Sequence, residues 1–122
     1  MVMAEAMINS LSDGRYRAQS AGSRPAGYVH PKALATLRRH GIDPGAPTSK
    51  SWDDFTAEHF DYVITVCDSA AAETCPAFPG EFARLHWSTP DPAQAAGSDE
   101  AIDAAFEEAY ALLRDRVETE LP

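Results

Sequence analysis

The residues that decide the fold prediction are Asp61-Tyr-Val-Ile-Thr-Val-Cys67-Asp68. The run from Tyr62 to Val66 is short, almost entirely apolar and rich in β-branched side chains. Such a run is typical of a strand that is buried on both faces of a parallel sheet. Because ligands bind at the carboxyl ends of parallel strands in open α/β sheets, Cys67 is a candidate functional residue. The alternative interpretation is that Cys67 is a small buried side chain at a strand end.

The sequence on either side of this strand predicts alternating helices and strands. The predicted elements are a helix over 3–11, a strand over 16–20, a helix over 31–40, a strand over 62–66, a short helix over 68–74, a strand over 82–87 and a long helix that begins after Ser98. Pro31 and Gly41 mark the start and end of the second helix. This order predicts a single α/β domain over residues 1–122, in three layers with a small parallel sheet flanked by helices.

Composition narrows the possible functions. The chain has 122 residues, with 19 acidic against 10 Lys and Arg, so its net charge of -9 disfavours nucleic acid as a partner. No apolar run approaches the roughly 18 residues of a membrane span, and the first residues do not resemble a signal peptide. We therefore expect a cytoplasmic protein. In that compartment the two cysteines, Cys67 and Cys75, are expected to be free thiols, a metal pair or a redox pair.

Several fragments, taken together and in order, resemble the arsenate reductases built on the low-molecular-weight tyrosine phosphatase fold. They are Ser20-Ala-Gly-Ser23, His30-Pro-Lys-Ala-Leu34, Ile64-Thr-Val-Cys67-Asp68, Cys75-Pro76, His86-Trp87 and Asp91-Pro92. In that family a loop cysteine attacks arsenate, and two further cysteines carry the oxidation away as a disulfide. The resemblance implies that Cys67 and Cys75 are this relay pair and that Asp91 is the general acid. It also implies an arsenate or arsenite ligand and an external thiol reductant such as thioredoxin, glutaredoxin or mycothiol, with no resident cofactor or metal.

The sequence departs from the family at the nucleophile. Family members begin with an apolar strand and a Cys-x5-Arg loop, which holds the oxyanion and the attacking thiolate. Here the residue six positions after Cys67 is Glu73, and the residue six positions after Cys75 is Glu81, so neither cysteine rebuilds the loop. We expect a truncated chain that lacks the first, central strand and is inactive alone. The coding frame ahead of Met1 would test this expectation.

Other interpretations of the same residues stay open. Cys67, Cys75 and His86 with His59 or His30 are a poor zinc set, because the cysteines are eight residues apart and form no Cys-x-x-Cys pair. A tyrosine phosphatase of the same fold would not need the dithiol, and Asp91 between two prolines is also a common turn residue. A non-enzymatic module that only binds arsenite or exchanges disulfides is a further alternative. If residues 67–75 form one helix, the two Cα atoms lie about 12 Å apart, whereas a disulfide needs roughly 7 Å, so oxidation should unwind the segment.

Overall fold

The computed structural model describes residues 2–12, 14–21, 29–45, 48, 50–55, 57–66 and 81–121. In these ranges the regular elements are α1 (Val2–Leu11), α2 (Pro31–Arg39), β1 (Tyr62–Thr65), β2 (Ala83–His86) and α3 (Asp99–Glu120), with 3-10 turns over Trp52–Phe55 and Pro92–Gln94. Each of these helices and strands begins within two residues of the start of a predicted element. The predicted helix over 68–74 falls outside the described residues.

The two strands form a parallel sheet, which confirms the predicted fold class. Tyr62 stands opposite Ala83 and Thr65 opposite His86, and the ladder continues with the Trp87 amide donating to the Thr65 carbonyl at 2.8 Å. Ile64 and Leu85 pack against the core on the same face of this sheet. β1 is half-buried along its whole length, whereas β2 is mostly exposed.

The core lies where the three helices meet the inner face of the sheet. α3 contacts α1, α2 and the Pro92–Gln94 turn. The largest side chains that are fully buried there include Trp87, Phe106, Met3, Met7, Leu37 and Leu113. Among the described helices, none is long and apolar enough to cross a membrane.

Local signals at the helix ends act as the sequence predicts. Pro31 is the first residue of α2, and the His30 side chain accepts a hydrogen bond from the Lys32 amide. Gly41 follows the helix with φ of 75°, a conformation that favours glycine over residues with a Cβ. The Ser98 hydroxyl accepts from the Ala101 amide at 3.2 Å and caps α3.

The predicted strand over 16–20 is wrong, because this segment joins no β-ladder within the part of the chain that the structure describes. Side chains of Asn9 in α1 and of Ser12, which directly follows it, bond to the backbone of the segment instead. The Asn9 amide group accepts from the Ala18 N–H at 2.8 Å and donates to the Ala18 carbonyl at 3.3 Å. The Ser12 hydroxyl accepts from the Tyr16 N–H at 3.3 Å and donates to its carbonyl at 3.4 Å. These bonds occupy the backbone groups on one side of the segment.

Charged side chains join α2 to α3. Glu107 accepts from the Arg39 Nε at 2.9 Å and pairs with the His40 Nε2 at 2.7 Å. The His40 ring stacks on Tyr110, with ring centroids 3.8 Å apart and planes 9° from parallel. The hydrogen bond from His40, together with that from Arg39, holds the pKa of Glu107 below the ordinary value of a glutamate.

A depressed carboxylate pKa makes stability depend on pH at the acid end. The contribution of Glu107 is fully present above the unfolded glutamate pKa of about 4.3 and is lost as the pH falls through the lower folded value. We expect Glu107→Gln to flatten the acid limb of a plot of unfolding free energy against pH. Glu118→Gln is the matched control, because Glu118 pairs along α3 with the exposed Arg114 and joins no second helix among the described residues. An equal change in both variants would contradict the prediction.

Candidate active site

Two side chains meet where β1 and β2 end. Thr65 and His86 are directly opposite in the register, and the Thr65 Oγ1 lies 2.6 Å from the His86 Nδ1. Val66 comes next in the chain and directly precedes Cys67. The strand-end rule singled out Cys67 from the sequence. Finding the Thr65–His86 pair requires the strand register, which the sequence does not give.

The chain after β2 returns to the end of β1. The Thr89 amide donates to the Val66 carbonyl at 2.7 Å, and the Thr89 hydroxyl donates to the Trp87 carbonyl at 2.9 Å. Both Trp87 and Thr89 are buried. These contacts hold the segment that leads to Asp91 next to Val66, the residue before Cys67.

Asp91 is exposed and acts as a turn former. Its Oδ1 accepts from the Ala93 amide at 3.0 Å and caps the turn that Pro92 begins. In the described part of the chain, no other hydrogen bond to this carboxylate is found. The structure therefore shows the capping role, and the role of general acid stays a prediction.

A shallow groove of about 290 Å³ adjoins Asp91. It lies between the Pro92–Gln94 turn and α3, and its lining includes Pro90, Glu108 and Leu112. At 40% exposure, Leu112 is the large hydrophobic side chain most open to solvent among those the structure describes.

The two cysteines of the predicted relay, Cys67 and Cys75, lie outside the described residues. Three histidines of the alternative zinc set are described, and each contacts another group. His30 caps α2, His59 Nε2 lies 3.0 Å from the Glu81 carbonyl, and His86 contacts Thr65. The zinc set as a whole remains untested, since its cysteines are not described.

A second polar cluster, which the sequence analysis missed, links α1 to later loops. The Ser20 hydroxyl donates to the Glu5 Oε2 at 2.6 Å, and the Lys50 Nζ lies 3.3 Å from the Glu5 Oε1 and from the Gln19 Oε1. The Lys50 charge compensates the half-buried Glu5 carboxylate. The Ser20 hydroxyl is thus committed to Glu5. No local spacing signals this cluster, because the residues that each contact joins are 15 or more positions apart in the sequence.

The chain, which folds as helices around a small parallel sheet, matches a known family. The model of the low molecular weight phosphotyrosine protein phosphatase family matches residues 1–121. The chain belongs to this family. The match includes residues 86–92, the segment that leads from the end of β2 to Asp91.

Relatives within the low molecular weight phosphotyrosine protein phosphatase family include arsenate reductases. The arsenate reductase of Halalkalibacterium halodurans is 34% identical over 117 residues, which is 96% of this chain and 83% of that protein. A solved arsenate reductase in its oxidized state superposes with a TM-score of 0.77 at 26% identity, covering 96% of this chain and 83% of that one. A thioredoxin-dependent arsenate reductase of Corynebacterium glutamicum superposes with a TM-score of 0.67 at 25% identity, covering 97% of this chain and 54% of that one.

Proposed function

We propose that this chain takes part in the reduction of arsenate to arsenite and supplies the relay dithiol and the general acid. The observation that carries the proposal is the 34% identity to an arsenate reductase over 96% of the chain. The positions of Cys67, Cys75 and Asp91 in the family pattern support the roles assigned below.

The proposed reaction transfers two electrons from thiols to arsenic. A cysteine outside these 122 residues attacks arsenate and forms a sulfur–arsenic bond, with Asp91 protonating the oxygen that leaves. The Cys67 thiolate attacks that sulfur, forms a disulfide and releases arsenite, so As(V) becomes As(III). The Cys75 thiolate then attacks Cys67, forms the Cys67–Cys75 disulfide and frees the first cysteine.

A dithiol protein of the thioredoxin class completes the proposed cycle by reducing Cys67–Cys75. The thioredoxin-dependent relative from Corynebacterium glutamicum supports this class of partner. The relay needs thiols that are kept reduced, which favours the cytoplasm as the place where the chain acts.

Arsenate turnover tests the proposal in two arms. We expect the 122-residue chain alone to give no arsenate-dependent NADPH oxidation with thioredoxin and thioredoxin reductase, and no hydrolysis of p-nitrophenyl phosphate. A fusion that places the Cys-x5-Arg segment of a related arsenate reductase ahead of Met1 should gain arsenate-dependent turnover. Turnover by the chain alone would contradict the nucleophile argument, and phosphatase activity without reduction in the fusion would favour a phosphatase.

The same fusion tests Asp91. Loss of a general acid typically costs about 10² to 10⁴ in rate, so Asp91→Asn should lower the arsenate turnover by that order. Asp115→Asn is the matched control, because Asp115 is an exposed residue of α3. Equal rates in both variants would leave Asp91 with its capping role only.

A further inference from the structure

The groove of about 290 Å³ between α3 and the Pro92–Gln94 turn has an apolar floor. Ala105 and Ala109 line it from one face of α3, and their small side chains leave room between the helix and the turn. Pro92 and Ala109 are buried, whereas Leu112, which also lines the groove, is 40% exposed. The groove therefore presents an open apolar surface to the solvent.

Two carboxylates, those of Asp91 and Glu108, line the same groove, and both residues are exposed. Among the described residues, neither forms an ion pair with a basic side chain. The residues three and four positions from Glu108 along α3 are Ala104, Ala105, Ala111 and Leu112. None of them is charged, so α3 itself leaves this carboxylate uncompensated.

The lack of a cationic partner sets Glu108 apart from other acidic residues of α3. Four of these pair with a basic side chain, namely Asp103, Glu107, Glu118 and Glu120. An apolar floor beside two uncompensated carboxylates is complementary to a group that is itself apolar along its length and cationic at its end.

An arginine side chain has both of these properties. Its methylene stem packs on apolar surface, and its planar guanidinium can donate two parallel hydrogen bonds to a carboxylate. The groove lies at the small end of the roughly 300–1,000 Å³ of small-molecule sites, which favours side chains of a partner over a larger ligand. Arginine is also enriched among the anchor residues of protein interfaces.

We propose that this groove binds a segment of a partner protein that carries an arginine next to a leucine. The leucine packs against Leu112, the arginine stem crosses the apolar floor, and the guanidinium pairs with Glu108 and Asp91. The net charge of -9 attracts a basic segment towards the chain before contact is made. The proposal does not depend on arsenate chemistry, and its test uses no enzymatic activity.

A synthetic eight-residue peptide with Leu-Arg at its centre, flanked by glycine and serine and blocked at both ends, serves as the probe. We expect it to cause saturable NMR shift changes at the Gln94, Glu108 and Leu112 amides of the 122-residue chain, with much smaller changes in β1. A peptide with citrulline in place of arginine keeps the shape but loses the charge, so it should bind about threefold more weakly or worse. An increase in salt from about 0.05 M to about 0.5 M should weaken only the arginine peptide.

Variants of the chain locate the two kinds of contact. Glu108→Gln should raise the Kd of the arginine peptide about two- to fivefold and leave that of the citrulline peptide unchanged. Glu100→Gln is the matched control, because Glu100 is an exposed residue of the same helix that does not line the groove. Leu112→Ala removes apolar surface that both peptides contact, so it should weaken the binding of both.

Four results would overturn the proposal. Equal binding of the two peptides would show that the groove does not recognise the guanidinium, and equal effects of Glu108→Gln and Glu100→Gln would show a general attraction by net charge. The absence of saturable shifts at the groove would exclude the segment as its occupant. Shifts of the same amides that grow with protein concentration, without any peptide, would assign the groove to a second copy of this chain.

Discussion

Replacing either Cys67 or Cys75 by serine is expected to abolish the thioredoxin-reducible disulfide of the oxidised chain. The sequence contains no third cysteine, so a single substitution leaves no intramolecular partner. After mild oxidation and removal of the oxidant, the unsubstituted chain should consume one NADPH per molecule with thioredoxin and its reductase. Cys67→Ser and Cys75→Ser should consume none as monomers.

Two controls make this result specific to the relay. Unsubstituted chain alkylated before oxidation should behave like the serine variants, and non-reducing gels should show whether any disulfide joins two chains. Far-ultraviolet dichroism should lose helical signal on oxidation, since a continuous helix over 67–75, as the sequence predicts, would hold the two Cα atoms about 12 Å apart. An unsubstituted chain that keeps both thiols under oxidation would contradict the relay, and identical dichroism would contradict the unwinding.

Trp87→Ala is expected to remove most of the stability of the fold. Trp87 is completely buried at the end of β2, in the core formed with Phe106 and Leu113. Truncation of a buried Trp to Ala costs about 3–5 kcal/mol, and small domains hold only about 5–15 kcal/mol in all. Denaturant unfolding should show a lower midpoint with a similar slope, or an unfolded chain.

Trp87→Phe separates the packing of the ring from its polar atom. In the described structure the Trp87 Nε1 is buried and has no hydrogen bond partner. A buried donor without a partner is destabilising, and phenylalanine removes it while keeping most of the apolar volume. We expect the free energy of unfolding to change by about 1 kcal/mol or less. A loss as large as that of Trp87→Ala would show that the Nε1 has a partner in solution.

Helix ends and the buried strand β1 were predictable from the sequence, because the residues that signal them lie next to each other in the chain. Pro31, Gly41 and Ser98 mark helix ends through chemistry that acts within a few residues, and the structure confirms each. The apolar run after Asp61 also identified β1, because burial in a parallel sheet imposes its own composition.

Features that depend on distant partners were not predictable in this way. The segment over 16–20 has a strand-like pattern, yet the Asn9 and Ser12 side chains bond to the backbone of Ala18 and Tyr16. The Thr65–His86 contact depends on register, and the Glu5–Ser20–Lys50 cluster depends on how α1 packs. At Asp91 the sequence allowed two roles, turn former and general acid. The hydrogen bond from the Ala93 amide shows the first, and the second stays a prediction.

Both cysteines fall in the connection that joins β1 to β2, residues 66–82. Pairing of the strands closes this loop, at a cost in chain entropy that grows only with the logarithm of loop length. A Cys67–Cys75 crosslink would shorten the path through the connection by less than half, which lowers that cost by only about 0.5 kcal/mol. This change in the cost of closing the loop is small beside the stability of a domain, so the pairing of β1 with β2 should survive repeated oxidation and reduction.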